Sequence, residues 1–182
     1  MRVWTRQHKS VLDELNAYGR YAAGRGGVYL DLGEHAPLVL EAYDWLSAHH
    51  PLRAQRPKDA EGLVWLSYEK SAAMLANGET VLLELEIPDE RIAPVNIAKW
   101  GAILNFAYLP MDEADASRHR REMNALGLSD AQACISRFYP ECKREIMASW
   151  ERLFDPSVSL GNDSCYGTTW ELRKEWLIAV EQ

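Results

Sequence analysis

Apolar and polar positions alternate most cleanly between the Asn77-Gly78 turn and Pro88. Leu83, Leu85 and Ile87 fall on one face of this stretch and Glu84 and Glu86 close the other. That period predicts a strand over 80–87 with one buried face, ended by Pro88, which has no N–H to continue a ladder. The same alternation predicts a first strand at 2–7, with Val3, Thr5 and Gln7 on one face and Trp4 and Arg6 on the other. A second clear strand is expected at 63–68. A final pair is expected at 168–172 and 176–180, joined by a tight hairpin at 173–175. Residues 20–23 read as a brief strand before a Gly24–Gly27 turn.

Helical spacing fills most of the rest. Ser10 is the expected cap of a helix with Val11, Leu12, Leu15 and Tyr18 on its apolar stripe and Gly19 at its end. Pro37 suits the first position of a second helix, whose face is Leu38, Ala42, Trp45 and Leu46, and which stops at His49-His50-Pro51. Residues 52–62 read as an exposed loop and 70–76 as a short helix. Asn96 is the expected cap of a helix running to Leu109-Pro110, and 112–126 forms a polar helix. Ser129 and Gln132 carry a capping-box signature for a helix broken by Pro140. Beyond it, Cys142, Ile146, Trp150, Leu153 and Phe154 recur on one helical face. Strands at both ends around a helical insertion predict an α+β fold, a split and mainly antiparallel sheet with flanking helices. No linker or repeat interrupts the chain, so 1–182 is expected to be a single domain.

Composition narrows the function classes. The net charge of −7 argues against broad non-specific nucleic-acid binding and against anionic membranes. The start of the chain lacks an apolar signal region and no run reaches membrane-spanning length, which predicts a soluble cytoplasmic protein. Cys134, Cys142 and Cys165 are an odd count without a CxxC pair, so neither a disulfide framework nor a zinc ribbon is expected. None of the five histidines stands in an HExxH or HxxxH spacing, so no structural metal is expected, and His49 and His50 would be the first place to look for one. At a helix end, these two residues ordinarily complement the last carbonyls. Seven Trp and eight Tyr beside three Phe suit a ligand pocket as well as a core.

Two places carry candidate chemistry. Alternation in 168–172 puts Trp170 and Leu172 on one face and Thr169 and Glu171 on the other. Glu171 is then either a solvent-facing residue or a carboxylate aimed at a cleft. In 63–68, Trp65 and Ser67 share a face, and an aromatic beside a hydroxyl can form a pocket wall.

The blocks Val3–Gln7 (VWTRQ), Ala42–Leu46 (AYDWL), Val81–Pro88 (VLLELEIP), Ser149–Asp155 (SWERLFD) and Thr169–Leu172 (TWEL) resemble a bacterial family, domain of unknown function 3841. More distantly, the layout is similar to the ADP-ribosyltransferases. Those open on a strand carrying Arg or His and then Thr, continue to a strand with Ser or an aromatic, and end on a late strand with a catalytic Glu. Thr5 and Gln7 fall at the first motif, Ser67 or Tyr68 at the second. The last is either Thr168, from an alignment on Tyr166-Gly167-Thr168, or Glu171, after a short register shift. The resemblance implies NAD as co-substrate, transfer of ADP-ribose to an unknown acceptor, and Glu171 steadying the oxocarbenium-like charge as nicotinamide leaves. Thr5 and Gln7 would then hold the ribose or amide, and Tyr43, Trp65 or Tyr68 would stack on a ring. The alternative it leaves open is a non-catalytic module that binds a nucleotide or a partner. A third reading is an interaction protein of a toxin–antitoxin or defence system, with the Arg118–Arg121 cluster facing its partner.

Overall fold

A computed structural model of the chain describes residues 1–24 and 36–181. Its strands are β1 (Arg2–His8), β2 (Arg20–Ala22), β3 (Val64–Leu66), β4 (Thr80–Glu86), β5 (Ala93–Asn96), β6 (Cys165–Thr169), β7 (Glu171–Arg173) and β8 (Leu177–Glu181). The helices are α1 (Lys9–Tyr18), α2 (Ala36–His49), α3 (Ile97–Leu104), α4 (Glu113–Leu126), α5 (Asp130–Ile135) and α6 (Pro140–Ser149). This is an α+β chain with small antiparallel sheets, in strand orders β1-β4-β8, β2-β7 and β3-β6-β5.

The chain divides into two compact units. One comprises Met1–Pro94 and Tyr166–Gln182; the other, Val95–Cys165, is inserted into it. In the first unit, β4 is the central strand of its sheet, pairing with β1 in the register Val3↔Leu85, Thr5↔Leu83 and Gln7↔Val81. Leu83, Leu85 and Ile87 are buried on the face that alternation assigns to the core, and Val3 and Val81 are buried in the same cluster, with Val11 and Leu15 of α1 and Leu172 and Trp176. Burying each such Leu contributes about 1.5–3 kcal/mol. Gly19 ends α1 at φ 74°, a left-handed conformation that glycine adopts without a Cβ clash.

The inserted unit is helical. Trp150 is its central buried side chain, with its ring 5.9 Å from that of Phe106 and its indole N–H bonded to the Ala107 carbonyl at 2.9 Å. The buried ammonium of Lys99 is held by the carbonyls of Arg152 and Asp155 at 2.9 and 2.7 Å.

Several expectations need correction. The residues at 173–175 do not close a hairpin, because β7 pairs with β2 while β8 pairs with β4. A bend at Trp170 separates β6 from β7, so 168–172 is not one strand. The cap of α1 is His8, whose Nδ1 accepts from Ser10 N, not Ser10 itself. The helix expected at 70–76 is a single 3-10 turn, Lys70–Ala72. α3 ends at Leu104 rather than near 109, because Phe106 turns the chain at φ 55° to bury its ring. That conformation disfavours a side chain by about 1–2 kcal/mol and is held here by packing. β5 went unread because Pro94 interrupts its pattern. Pro140 does not break a helix; it opens α6, where its missing N–H has no partner to lose. Cys142 is half-exposed, so the buried stripe begins at Ile146. The turn expected at 24–27 lies outside the described residues after Gly24.

Candidate functional site

Glu171 opens β7, opposite Ala22 of β2. It is 5% exposed, against the alternation that would turn it to solvent, because the chain changes sheets at Trp170 and the period restarts. Its carboxylate accepts from Arg20 Nε at 2.5 Å and from Arg173 Nε at 2.8 Å. Arg20 sits across β2–β7 from Arg173 and also grips both oxygens of Asp59, at 2.7 and 3.1 Å. Burial pushes the Glu171 carboxyl up, but hydrogen bonds from the two guanidinium groups outweigh it and hold the group below its ordinary value.

Thr5 is buried, and its hydroxyl donates to the Trp65 carbonyl at 2.8 Å while accepting from Gln7 Nε2 at 2.8 Å. Thr5, Gln7 and Trp65 are therefore brought together. Ser67 donates to the Glu69 carbonyl at 2.6 Å and bridges to Trp4 through its backbone. Tyr68 packs by Gly167, where an added Cβ would stand 3.2 Å from the Tyr68 hydroxyl and 2.8 Å from Ile92 Cγ2. Tyr43 and Trp65 share a recess of about 80 Å³ with Asp44, Ser47 and Glu61. Among the described residues no hydrogen bond or ion pair joins Glu171 to Thr5.

Thr168, the other candidate for the late-strand position, faces Trp65 in the β3–β6 register and is fully buried. Its hydroxyl donates to the Ala93 carbonyl at 2.9 Å and meets His50 Nε2 at 2.9 Å. The other ring nitrogen of His50 accepts from Leu52 N at 3.1 Å, so Nε2 carries the proton and donates to Thr168. His50 is thus a buried donor rather than a helix-end complement, and burial lowers its pKa to about 4. His49 does answer a late carbonyl, with Nδ1 2.8 Å from Trp45 O and its ring stacked on the Trp45 indole.

A second polar cluster lies in the inserted unit, and sequence reasoning passed over it. His119 of α4 is 6% exposed, stacked on Tyr108 with ring centroids 4.0 Å apart. Its Nε2 lies 2.8 Å from Asp130 Oδ1, while Nδ1 is buried without a hydrogen-bond partner. One ligand atom each from His119, Glu122 and Glu145 lie within 4.8 Å of one another. The signal was His119-x-x-Glu122, one face of a helix, but the third group comes from α6 and no linear spacing reveals it. Arg118 pairs with Asp115 (2.9 Å), Glu122 (2.7 Å) and Glu145 (2.8 Å), so the arginine run is not uniformly solvated. Asp115 also accepts from Tyr108, Met111 N and Arg152. Burial opposes its charge, but these donors win and hold its pKa near about 2.

The architecture is that of an α+β protein with small antiparallel sheets, a helical insertion and an ion-paired carboxylate late in the chain. A family model described as Domain of unknown function (DUF3841) matches residues 2–178, and the chain belongs to that family. No curated protein and no solved structure matches it. Among the described residues no helix is long and apolar enough to cross a membrane.

Proposed function

We propose that this chain is a non-catalytic binding module that holds a nucleotide or a protein partner without turning it over. The observation that carries this reading is the double engagement of Glu171 by Arg20 and Arg173. A carboxylate steadies an oxocarbenium-like transition state only if its charge faces the reacting centre. One already shared by two guanidinium groups has little field left to offer. Thr168, at the alternative position, is uncharged, and its hydroxyl is committed between His50 and Ala93.

ADP-ribosyl transfer from NAD to an unknown acceptor is the second reading. It is favoured by one observation: the Glu171 carboxyl is held below its ordinary value and is therefore ionised at neutral pH. In that reading Thr5 and Gln7 hold the ribose or amide, Ser67 and Tyr68 border the ligand, and Tyr43, Trp65 or Tyr68 stacks on a ring. The recess beside Tyr43 and Trp65, at about 80 Å³, has room for two or three waters rather than a dinucleotide.

Calorimetric titration with NAD and with ADP-ribose, beside a nicotinamide-release assay on the parent and on Glu171→Gln, separates the readings. Binding without release in both proteins is the expected result. Release by the parent that Glu171→Gln abolishes establishes the transferase instead, and no binding of either compound leaves a protein partner as the ligand.

A further inference from the structure

The His119 cluster has the chemistry of a divalent-cation site. Asp130 is a carboxylate and can only accept, so the short contact at 2.8 Å fixes the proton of a neutral His119 on Nε2. Asp130 is itself oriented by Tyr108 N, which donates to its other oxygen at 2.8 Å. The free lone pair is then on Nδ1, a buried acceptor with no donor. What faces it is Glu145 Oε1 at 4.0 Å, a second acceptor, too far for a hydrogen bond. Glu145 Oε1 already takes Arg118 Nη2 at 2.8 Å, but His119 Nδ1 has no donor, and a cation between the two atoms would satisfy it. A carboxylate on the far nitrogen of an imidazole is also the arrangement that orients metal-binding histidines and raises their basicity.

We propose that His119 Nδ1, Glu122 and Glu145 bind one divalent first-row transition-metal ion, with Asp130 as the positioning carboxylate behind His119. The imidazole favours such an ion over magnesium or calcium, which prefer oxygen alone. His119 is fixed by burial and by stacking on Tyr108, whereas the side chains of Glu122 and Glu145 are 50% and 42% exposed and would exchange their ion pairs with Arg118 to close on an ion. Arg118 already draws the two carboxylates together, and on metal binding it retains Asp115 and the Tyr108 hydroxyl as partners. Glu145 also lines an open groove of about 400 Å³ with Cys142 and Ala148, which gives the ion a path from solvent. Three protein ligands leave a coordination position open to water.

Cobalt(II) is the probe, because its visible spectrum reports both ligand type and geometry. Titration of the metal-stripped full chain should give one saturable equivalent without a thiolate charge-transfer band. Magnesium should not compete. Glu122→Gln and Glu145→Gln, both at exposed positions, should each weaken binding about tenfold or more while leaving the circular dichroism and the melt unchanged. Cys142→Ser should bind as the parent does. Absence of saturable binding at micromolar cobalt overturns the proposal. So does binding that both glutamine variants leave intact, or a charge-transfer band that Cys142→Ser removes. Nitrogen-15 spectra in which His119 Nδ1 carries a proton at neutral pH and keeps it on adding cobalt would also overturn it, a proton then being the cation.

Discussion

Burial keeps His50 neutral, and this makes it a pH-sensitive group. The unfolded chain binds a proton at this residue below about 6.5, whereas the folded chain resists until about 4. Between those values the unfolded state holds more protons, so stability is complete above the upper limit and falls as the pH drops through the window. The full shift corresponds to about 3 kcal/mol. Urea melts at neutral pH and near the lower limit should differ by an amount of that order, and His50→Gln should remove most of the difference. An unchanged pH slope in the variant would mean that the carboxylates alone set it. Thr168 and Glu171 illustrate why such detail is hard to read from a chain. Residue type says that each can hydrogen-bond, but their partners, Ala93, His50, Arg20 and Arg173, are supplied by other elements.

Elements with a strong period were legible, and those set by tertiary contact were not. β4 shows both halves of this. Its buried face follows from Leu83, Leu85 and Ile87, whereas nothing local says that β8 rather than β7 lies beside it. In α4 the polar composition hides an inner face at His119 and Met123, spaced four apart and both buried. The average polarity of the helix masked these two positions. The 3-10 turn after α6, Trp150–Phe154, is the better-read case, for Trp150 and Leu153 continue the stripe of Ile146. Because Trp150 is fully buried, Trp150→Ala should lower the unfolding free energy by about 3–5 kcal/mol. A chemical melt displaced by less than about 1 kcal/mol would show that the site collapses around the missing ring.

At the scale of the molecule, the chain forms two compact units, Met1–Pro94 with Tyr166–Gln182, and Val95–Cys165 between them in sequence. The ends of the inserted unit meet: Ile97 N donates to Ser164 O at 2.9 Å, and Asn96 Nδ2 donates to Asn162 O at 2.9 Å. With its own buried core and closed ends, residues 95–165 expressed alone should be helical and unfold cooperatively. A fragment with no sigmoidal melt would show that this core needs the rest of the chain.

The strand order β1-β4-β8 places the two partners of β4 on opposite sides of the insertion in sequence. On a ribosome β1 and β4 can meet early, but their sheet lacks its third strand until residues 177–181 emerge, after every helix of the insertion has been made. Meanwhile the edge of β4 that β8 will cover offers unpaired backbone groups to any other nascent strand. Translation speed through the helical insertion therefore sets how long that edge stands open.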